Sequence, residues 1–453
     1  MSTKKDAKMD LDCKEFLNKN KDIRELEVLA TDLNGHYFGK RYPIAKLKSF
    51  ADEGLAFPGS MFLLNSIGEP LDNMYFGIDD GDPDAHFQLV PGSLSVNSWS
   101  SQRRAQVLAS TSQSPEPIFF EPRHILQKVL QAFAASKWHP IVAFELEFYL
   151  FDGQRDDQDL VQIVRNPKTG RRDTATVLST TRISDFESVI DDIISACEMQ
   201  GIETGAISAE LGPGQFEINF NHHNDVLRAA DETCLFKRTV VEVAKKHGLS
   251  ASFIAKPILD QAGNGLHMHI SVADAKGNNI FSQGDKPHPH LMHAIGGLLD
   301  AMPASMSFWA PTVNSYRRYR GGVSCAPVSL TWGHENRTVA FRIPLAKEGA
   351  WRVENRVPGA DANPYLAMAA TLAGMLHGML NKLDPGKPST EAINGRDANL
   401  PLSLSAALGT TIGSEALMSM MGRGFIELYC RHREAETVAF ENHISSREYD
   451  WYL

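Results

Sequence analysis

The feature that most constrains this chain is an apolar run, Val142–Phe151, that contains two acids. Successive side chains of a strand point to opposite faces, so Glu145 and Glu147 share one face and their apolar neighbours share the other. The two carboxylates are expected to lie roughly 7 Å apart on a strand that otherwise resembles core. Buried like charges are unfavourable unless a cation neutralises them. The run therefore predicts a buried strand at a cation-binding site.

Later segments place more ligand-type residues on predicted strands. Glu210 leads into a glycine-containing turn, and Glu217 follows the turn among apolar residues. His267 and His269 are two residues apart and alternate with apolar residues, and Glu354 lies in an arginine-containing segment. Five carboxylates with one or two histidines favour hard cations such as Mg²⁺ or Mn²⁺. Neutralising five acids requires more than one ion.

Each of these pieces has a simpler interpretation when it is taken alone. A single Glu-x-Glu strand is most often a solvated face, because buried unpaired acids are rare. A single His-x-His pair is more often structural or exposed than metal-binding. The recurrence of the pattern on three predicted strands favours a metal site over these alternatives.

Composition limits the class of protein. The 453 residues are 43% hydrophobic and 22% charged, which is typical of a globular protein of two or three domains. A net charge of −10 argues against nucleic acid as a partner. The N-terminus lacks the apolar segment of a signal peptide, and the longest apolar run, Tyr365–Leu380, is too short for a membrane span and predicts a buried helix. Five scattered cysteines without a Cys-x-x-Cys pair predict a cytoplasmic protein without disulfides.

The order of apolar and turn residues predicts an α+β fold. Residues 1–20 are polar and are predicted to be flexible. Residues 21–115 are predicted to form a small β-rich domain, with a hairpin turn at Asn34–Gly35. A linker leads into a larger domain, residues 116–453. Apolar residues recur at helical spacing in three segments of this domain, which are residues 122–135, 185–200 and 225–247.

Two polar segments resemble binding sites but are predicted to be surface loops. Prolines interrupt the histidines of Lys286–His293 and break any regular ligand spacing. Four acids lie close together in Asp79–Asp84, where a solvated loop is the simpler interpretation.

The last third of the chain is rich in arginine. Arginine binds carboxylate or phosphate oxygens through a planar fork and stays charged at any working pH. Arginines beside a metal site favour phosphoryl transfer, whereas a structural salt-bridge network is the alternative. The chain has no Gly-x-x-x-x-Gly-Lys-Ser/Thr and no Gly-x-Gly-x-x-Gly motif, so an ATP site would be of another kind. The arginines concerned are Arg317, Arg318, Arg337, Arg342, Arg352 and Arg356.

Several short motifs follow one another along the chain, namely Glu145-Leu-Glu147, Gly212-Pro-Gly-Gln215, Gly263–His269, Asn314-Ser-Tyr, Asn336-Arg337, Arg342-Ile-Pro344 and Asn363-Pro-Tyr365. In this order they resemble the glutamine synthetase family, over roughly residues 30–453. The resemblance implies a small N-terminal β-grasp domain and a larger catalytic domain with a curved, mainly antiparallel sheet flanked by helices. It also implies a homo-oligomer, a dodecamer of two hexameric rings whose active sites are shared between neighbours.

The resemblance further implies roles for individual residues. Two or three Mg²⁺ or Mn²⁺ ions would be held by two sets of ligands, Glu147, Glu210 and Glu217 in one and Glu145, His267 and Glu354 in the other. ATP would be bound at its phosphates by His269 and Arg342 and near its nucleoside by Ser271 and Arg352. L-Glutamate would be held by Asn264, Gly265, Arg318 and Arg356. Arg337 and Arg318 would be catalytic, with Arg337 stabilising the transferred phosphoryl group. The implied reaction forms γ-glutamyl phosphate from ATP and glutamate, and an amine then attacks it.

Two acids that handle ammonium in glutamine synthetases have no counterpart here. Pro58 stands where the family has aspartate, and Gly321–Pro327 lacks the family's glutamate. A site that binds ammonium and removes its proton needs a negative group. The chain is therefore more similar to ligases for organic amines, such as γ-glutamylputrescine or γ-glutamylpolyamine synthetases.

Three functions stay open at this stage: a ligase for a mono- or polyamine, a glutamine synthetase with another base, and a non-catalytic relative. The complete ligand set argues against the last, because buried acids are destabilising without a purpose. Asp79–Asp84 is a candidate contact for the distal ammonium of a polyamine, and Cys325 is a candidate reactive residue. The residues leave the acceptor amine and its base unassigned.

Overall fold

The structure is a computed structural model that describes residues 2–71, 81–320, 326–347, 349–393 and 395–453. It is an α+β fold built on two main sheets, which confirms the predicted fold class. The boundaries predicted at residues 20/21 and 115/116 stay predictions. Asp79, Asp80 and Cys325 lie outside the described residues, as does the rest of the segment 321–325.

The described N-terminal part of the chain forms helices and the strands of a mixed sheet, which are α1 (Ser2–Lys19), β1 (Glu25–Thr31), β2 (Tyr37–Pro43), α2 (Leu47–Glu53), β3 (Leu55–Pro58), β4 (Asp84–Leu89), β5 (Ser95–Asn97) and β6 (Arg104–Ser110). The strand order is β2-β1-β6-β4-β3, with β5 beside β6. The predicted hairpin is confirmed, because β1 and β2 pair antiparallel and Gly35 supplies a left-handed turn at φ +82°.

The first helix is a departure from the sequence prediction. Polar composition predicted a flexible segment for residues 1–20, whereas Ser2–Lys19 is helical. Met9 and Cys13, one turn apart, are buried and join the hydrophobic core. Tertiary packing of this narrow apolar stripe supplies what the local composition lacks.

The larger part of the chain forms a second sheet with helices around it. Its order is β14-β15-β16-β11-β7-β9-β8, with β10 beside β7, and all pairs but the parallel β14–β15 are antiparallel. The described elements are α3 (Pro122–Ala135), β7 (His139–Asp152), α4 (Thr180–Asp185), α5 (Glu187–Met199), β8 (Thr204–Ala209), β9 (Gln215–Phe220), α6 (Val226–Lys246), β10 (Leu249–Ser252), β11 (Leu266–Ala273), β12 (Ser282–Gln283), β13 (Lys286–Pro287), α7 (Pro289–Trp309), β14 (Trp332–His334), β15 (Phe341–Ile343), β16 (Val353–Asn355), α8 (Pro364–Asn381), α9 (Leu404–Thr411), α10 (Glu415–Met421), α11 (Arg423–Glu441) and α12 (Ser446–Tyr452).

The central strand β7 explains how the second sheet positions the site. Phe144, Leu146 and Phe148 lie on one face of β7 and are almost completely buried. Phe148 packs against Phe236 of α6, with ring centroids 6.2 Å apart. Because the helices cover this apolar face, the intervening acids of β7 must point to the opposite face, away from the core.

The helix predictions vary in accuracy. The segments 122–135 and 225–247 correspond to α3 and α6 almost to the residue. The predicted helix 185–200 is interrupted at Phe186, which separates α4 from α5. The run Tyr365–Leu380 lies in the buried helix α8, as predicted, with Asn363 as its N-cap. Among the residues that the structure describes, no helix combines the length and apolar character needed to cross a bilayer.

The loop predicted for Lys286–His293 is wrong. Lys286–Pro287 is strand β13, and α7 begins at Pro289. The Nδ1 atom of His288 accepts a hydrogen bond from the backbone nitrogen of His290 at 3.1 Å, which caps the helix. Proline suits the first helical position, because the nitrogen there has no partner in the helix. The prolines thus mark a helix start.

Candidate active site

Four of the five predicted acids converge on one cavity of about 590 Å³, and the fifth, Glu354, bonds to Arg342 and Arg356 of its wall. Glu147 of β7 lies opposite Glu217 of β9, and Glu145 of β7 lies opposite His267 of β11. Glu210, directly after β8, completes the acidic wall. The prediction that Glu145 and Glu147 share one face of a strand is confirmed, because both side chains line this cavity.

The carboxylate of Glu145 accepts hydrogen bonds from histidines of the neighbouring strand. Its Oε1 lies 2.8 Å from His269 Nε2, and its Oε2 lies 3.4 Å from His267 Nδ1. Burial raises the pKa of Glu145, but hydrogen bonds from His267 and His269 outweigh it and hold the pKa well below the usual range. Glu145 is therefore an ionised acid whose charge is already shared with the protein.

Glu354 is neutralised by arginines. Its side chain is 1% exposed and accepts hydrogen bonds from Arg342 Nη1 at 2.8 Å and from Arg356 Nη1. Burial again opposes ionisation, but the charge of Arg356 contributes most to lowering the pKa of Glu354 below its ordinary value. Arg342 was predicted to bind ATP and Arg356 to bind glutamate, and each already forms an ion pair with Glu354.

The opposite wall of the cavity contains acids without such partners. Among the described residues, Glu147, Glu210 and Glu217 form no ion pair. Burial raises the pKa of Glu217 to about 9 and that of Glu210 to about 7, and the charge of Glu147 adds to both shifts. Glu147 accepts a hydrogen bond from the backbone nitrogen of Gly265 at 2.6 Å. This wall needs a cation from outside the chain to ionise fully at neutral pH.

A buried ion pair that sequence reasoning missed holds the turn carrying Glu210. Arg182 donates to the carbonyls of Glu210 at 2.8 Å and Gly212 at 2.6 Å. Its Nε donates to Asp173 Oδ2 at 2.9 Å, and Asp173 also accepts from the backbone nitrogen of Gly214 at 2.6 Å. Neither residue belongs to a local motif, so no signal in the sequence links them to the site.

A second cavity of about 480 Å³ adjoins the acidic one and shares Glu145 with it. Three of the four residues assigned to ATP line this cavity, namely His269, Ser271 and Arg352. The Nε of Arg352 donates a hydrogen bond to His269 Nδ1 at 3.4 Å. Arg342, the fourth, lines the acidic cavity instead.

Besides Arg342, three more arginines add positive charge to the acidic cavity: Arg318, Arg337 and Arg356. Arg318 is 5% exposed, and its Nη1 donates to the carbonyl of Val357 at 2.7 Å. Among the described residues, neither Arg318 nor Arg337 forms an ion pair with a carboxylate. A buried guanidinium that bonds only to neutral groups is a binding point for an anionic ligand.

The remaining residues assigned to glutamate form the edge of the site. Asn264 is fully buried, and its Nδ2 donates to the carbonyls of Ser252 at 3.3 Å and Ile254 at 2.9 Å. A Cβ atom on Gly265 would meet His267 Nε2 at 2.8 Å, so the backbone approaches the histidine closely. The side chain of Asn264 holds the segment in place, and the glutamate contacts of both residues stay predictions.

The donor set fits a divalent cation. Two groups have potential ligand atoms that all lie within 4.8 Å of one another: Glu145, His269 and Glu354, and Glu145, Glu217 and His267. Carboxylate oxygens with few imidazole nitrogens suit Mg²⁺ or Mn²⁺. These groups differ in part from the predicted sets, because His269 joins the first and Glu145 is common to both. The assignment of ligands to individual ions stays a prediction.

Comparisons with known proteins agree with this geometry. Residues 119–452 match the family model described as glutamine synthetase, catalytic domain. The chain is 38% identical to gamma-glutamylputrescine synthetase PuuA of Escherichia coli K12, over 97% of this chain and 94% of the relative. It is 29% identical to glutamate–isopropylamine ligase of a Pseudomonas species, over 100% and 99% of the two chains.

A solved structure supports the fold as well. The chain is similar to apo GmaS without ligand, with a TM-score of 0.81 and 27% identity over 96% of this chain and 98% of the other. The family model covers most of the chain, and a relative above 30% identity spans nearly all of it. The chain therefore belongs to the glutamine synthetase family, as its motifs predicted, and it is an enzyme of the ligase class.

Proposed function

We propose that this enzyme uses ATP to join the γ-carboxyl of L-glutamate to an organic amine through γ-glutamyl phosphate. One observation carries the proposal: a single cavity combines acids, Glu210 and Glu217, with arginines, Arg318 and Arg337, and none of these four side chains forms a direct ion pair within the part of the chain that the structure describes. Divalent cations and an anionic substrate together would satisfy both sets. The names of the two relatives, one for putrescine and one for isopropylamine, support glutamate–amine ligation.

Separate groups of residues are proposed to bind the metal ions, ATP and glutamate. Glu147, Glu210 and Glu217, with Glu145, His267 and Glu354, would hold the divalent cations. Bound cations neutralise phosphate oxygens during phosphoryl transfer. His269, Ser271 and Arg352 orient ATP in the adjoining cavity and Arg342 does so from the acidic cavity, while Asn264, Gly265, Arg318 and Arg356 position glutamate. Arg337 is exposed to the cavity and stabilises the charge on the transferred phosphoryl group.

The walls of the acidic cavity favour an amine that carries hydrocarbon. Val177, Leu178 and Leu211 line it beside Glu210, and their exposed fractions are 49%, 72% and 45%. Exposed apolar side chains at a binding cavity gain stability when an apolar group covers them. A polyamine or a small alkylamine can do this, whereas ammonium cannot. The similarity to a putrescine ligase supports a diamine or polyamine as acceptor.

The test is phosphate release with ATP, Mg²⁺ and glutamate across putrescine, spermidine, isopropylamine, ethanolamine and ammonium. Mass spectrometry identifies the γ-glutamyl product. We expect kcat/KM for at least one alkylamine to exceed that for ammonium by at least about 10-fold, because one or two buried methylenes contribute about 1–3 kcal/mol. Ammonium as the best acceptor would support the alternative of a glutamine synthetase. No phosphate release with any acceptor would support a non-catalytic relative.

We also propose that copies of the chain assemble into a homo-oligomer, as the resemblance implied, with a dodecamer of two hexameric rings as the expected form. The C-terminal residues support association, because Trp451, Tyr452 and Leu453 are 69%, 79% and 100% exposed. Mass photometry of the full chain and of a chain lacking residues 446–453 tests this. An equal mass per particle for both would exclude α12 as an assembly contact.

The cytoplasm is the proposed location. The described cysteines Cys197, Cys234 and Cys430 are buried free thiols. Free buried thiols are typical of proteins in a reducing compartment. Cell fractionation with a compartment marker tests this expectation, and recovery in an oxidising compartment would exclude it.

A further inference from the structure

A third cavity, of about 530 Å³, lies where the first hairpin meets the larger part of the chain. Its walls include His36 from the hairpin, Lys237 from α6, Ile254 after β10, Thr312 after α7 and Asp361 before α8. It shares no lining residue with the two cavities of the active site. The function proposed above uses none of these side chains, so the cavity needs its own explanation.

The charged residues of this cavity differ in how well they are paired. Arg238 Nη2 lies 2.7 Å from Glu27 Oε2, and Arg433 Nη1 lies 2.7 Å from Glu436 Oε2. Lys237, between them in the wall, forms no ion pair with any described residue. Arg238 and Arg433 each have an acidic partner. The ammonium of Lys237 has none among the described residues and therefore needs an anion or water as its acceptor.

The contacts of Lys237 show what is missing. Its Nζ donates one hydrogen bond, to the carbonyl of Ala362 at 3.3 Å, and lies 5.5 Å from the ring centroid of Phe253. Two of its three donor positions therefore lack a described acceptor. Burial lowers the pKa of this ammonium, and the charge of Asp361 offsets this only in part. An anionic ligand would supply the acceptor and the counter-charge together.

The acids of the cavity are only partly engaged, because Asp361 Oδ1 has no hydrogen-bond partner among the described residues. Asp361 Oδ2 accepts hydrogen bonds from Ser315 Oγ at 2.5 Å and Thr312 Oγ1 at 3.0 Å, and Glu242 pairs with Lys245 at 2.7 Å. Apolar side chains supply much of the remaining wall. They are Val241, Phe253, Ile254 and Pro311, and Ile254 is 48% exposed. Lys237, the cation of this wall without an ion pair among the described residues, thus lies beside apolar surface. This combination matches a small acid that carries a hydrocarbon chain.

One wall of this cavity is physically continuous with the active site. The carbonyls of Ser252 and Ile254 hold the side chain of Asn264, at 3.3 and 2.9 Å. The next residue, Gly265, donates its backbone N–H to Glu147. A ligand that displaces Ile254 would therefore move the segment that carries Asn264 and Gly265.

We propose that this cavity binds a small organic carboxylate with a short hydrocarbon chain. The carboxylate would lie on Lys237 and the chain would cover Val241, Phe253 and Ile254. We further infer that an occupied cavity changes the affinity of the enzyme for glutamate. This second part rests on the proposed function, which assigns Asn264 and Gly265 to glutamate.

The test is equilibrium dialysis of hexanoate against the assembled full-length enzyme. Lys237→Gln removes the cation, Val241→Phe fills the apolar wall, and Lys246→Gln is the matched control, since Lys246 lies on the same helix but pairs with Asp192 away from the cavity. We expect the wild type and Lys246→Gln to bind with equal Kd. Lys237→Gln should weaken binding at least about 10-fold, and Val241→Phe should abolish it. Inorganic phosphate, which lacks hydrocarbon, should bind more weakly than hexanoate.

Unchanged hexanoate affinity in a folded Lys237→Gln or Val241→Phe variant would overturn the proposal. So would a crystal structure of the enzyme with hexanoate in which another copy of the chain fills the cavity. If Lys237→Gln does not fold, Val241→Phe and the crystal structure still decide.

Steady-state kinetics test the coupling separately. Hexanoate should change KM for glutamate by at least twofold in the wild type and leave it unchanged in Val241→Phe. Binding without any change in KM would exclude the coupling and leave the binding site standing. Because dialysis needs no turnover, a failure of the proposed ligase reaction would not be confused with a failure of this site.

Discussion

Glu354 and Glu217 belong to the same cluster of acids, but the protein supplies two arginines to the buried Glu354 and no ion-pair partner among its described residues to Glu217, which is half-buried in the cavity wall. The pKa of Glu354 is correspondingly lowered, whereas burial raises that of Glu217 to about 9. Pairing with arginine, and not burial alone, thus separates an acid that is ionised from an acid that is protonated at neutral pH until a cation binds. The difference identifies the wall at which an external cation is required.

This comparison separates structural acids from acids that await a ligand. An acid such as Glu354 that is paired within the chain contributes to folding. Its removal takes away the carboxylate with which Arg342 and Arg356 both pair. An acid such as Glu217 that lacks a partner destabilises the metal-free fold and becomes favourable only when a cation binds. Replacing each acid in turn with glutamine tests this distinction.

The largest expected effect is on the free energy of unfolding of Glu354→Gln. Its loss removes the buried carboxylate that Arg342 and Arg356 share and leaves Arg342 only its longer contact with Glu335, at 3.5 Å, which should lower stability by about 3–5 kcal/mol. Glu217→Gln removes an acid that has no ion pair among the described residues and only a hydrogen bond from Asn219, at 3.3 Å, so it should not lower the stability of the metal-free protein. Urea unfolding in the presence of a chelator measures both variants.

Both variants should lose ligase activity, since each removes a proposed metal ligand. Activity alone therefore does not separate them, whereas unfolding does. Equal destabilisation by Glu354→Gln and Glu217→Gln would contradict the division of the cluster into two halves.

The next effect is the pH dependence of Mn²⁺ affinity. Metal-free Glu210 and Glu217, with pKa values raised to about 7 and about 9, hold protons that a cation must displace. The affinity should therefore rise with pH, by about 100-fold between pH 6 and 8 if one proton leaves throughout this range. Calorimetry in two buffers of different ionisation enthalpy counts the released protons.

The same groups fix the sign of the stability change in the metal-free protein. Their native pKa values exceed the ordinary glutamate value of 4.5, so the native state holds more protons than the unfolded state between these values. Stability should fall as the pH rises from about 5 to about 9, and Mn²⁺ should remove this fall. A stability that rises over this window would show that both acids are ionised without metal.

A smaller effect is expected from the hydrogen bond that orients Glu210. Ser208 Oγ donates to Glu210 Oε1 at 3.0 Å. Ser208→Ala should weaken Mn²⁺ binding by about 10-fold, as is typical for partners behind metal ligands. Ser184→Ala is the control, because Ser184 Oγ bonds only to the Thr180 carbonyl on the exposed side of α4. Equal metal affinity in both variants would exclude an orienting role for Ser208.

The sequence could predict the acids of this cluster because they obey a short-range rule. The alternation of strand side chains places Glu145 with Glu147 and His267 with His269 on one face, and the fold keeps both pairs together. The apolar alternation of β7 also predicted its burial. These features depend only on residues two apart, which a sequence displays directly.

Other features depend on contacts between distant residues. Arg182 and Asp173 hold the turn of Glu210 through hydrogen bonds to Gly212 and Gly214. No motif in the sequence around either residue predicts these bonds. The helix break at Phe186 has a similar origin, since this buried ring packs on Phe216 with centroids 5.3 Å apart. The sequence also could not predict which acids of the cluster pair with protein cations. That depends on Arg342 of β15 and Arg356 after β16, which both bond to Glu354.

The smallest expected effect concerns backbone strain on the unpaired side of the cavity. Leu178 adopts a left-handed conformation at φ +57°, with 72% of its surface exposed. This conformation is unfavourable for leucine by roughly 1–2 kcal/mol, whereas asparagine tolerates it. Leu178→Asn should therefore raise the free energy of unfolding by up to about 1 kcal/mol, while raising KM for the acceptor amine severalfold through loss of apolar contact.

Val177→Asn separates the two effects. Val177 lines the same wall but lies outside the left-handed residues, so its replacement should raise KM for the amine without any gain in stability. Thermal unfolding and amine kinetics on both variants measure the difference. If Leu178→Asn is stabilised and its KM is unchanged, the strain has no connection with the acceptor. If KM rises in both variants and stability rises only in Leu178→Asn, then the unpaired wall keeps a strained leucine for the hydrocarbon of its substrate, just as it keeps unpaired acids for its cations.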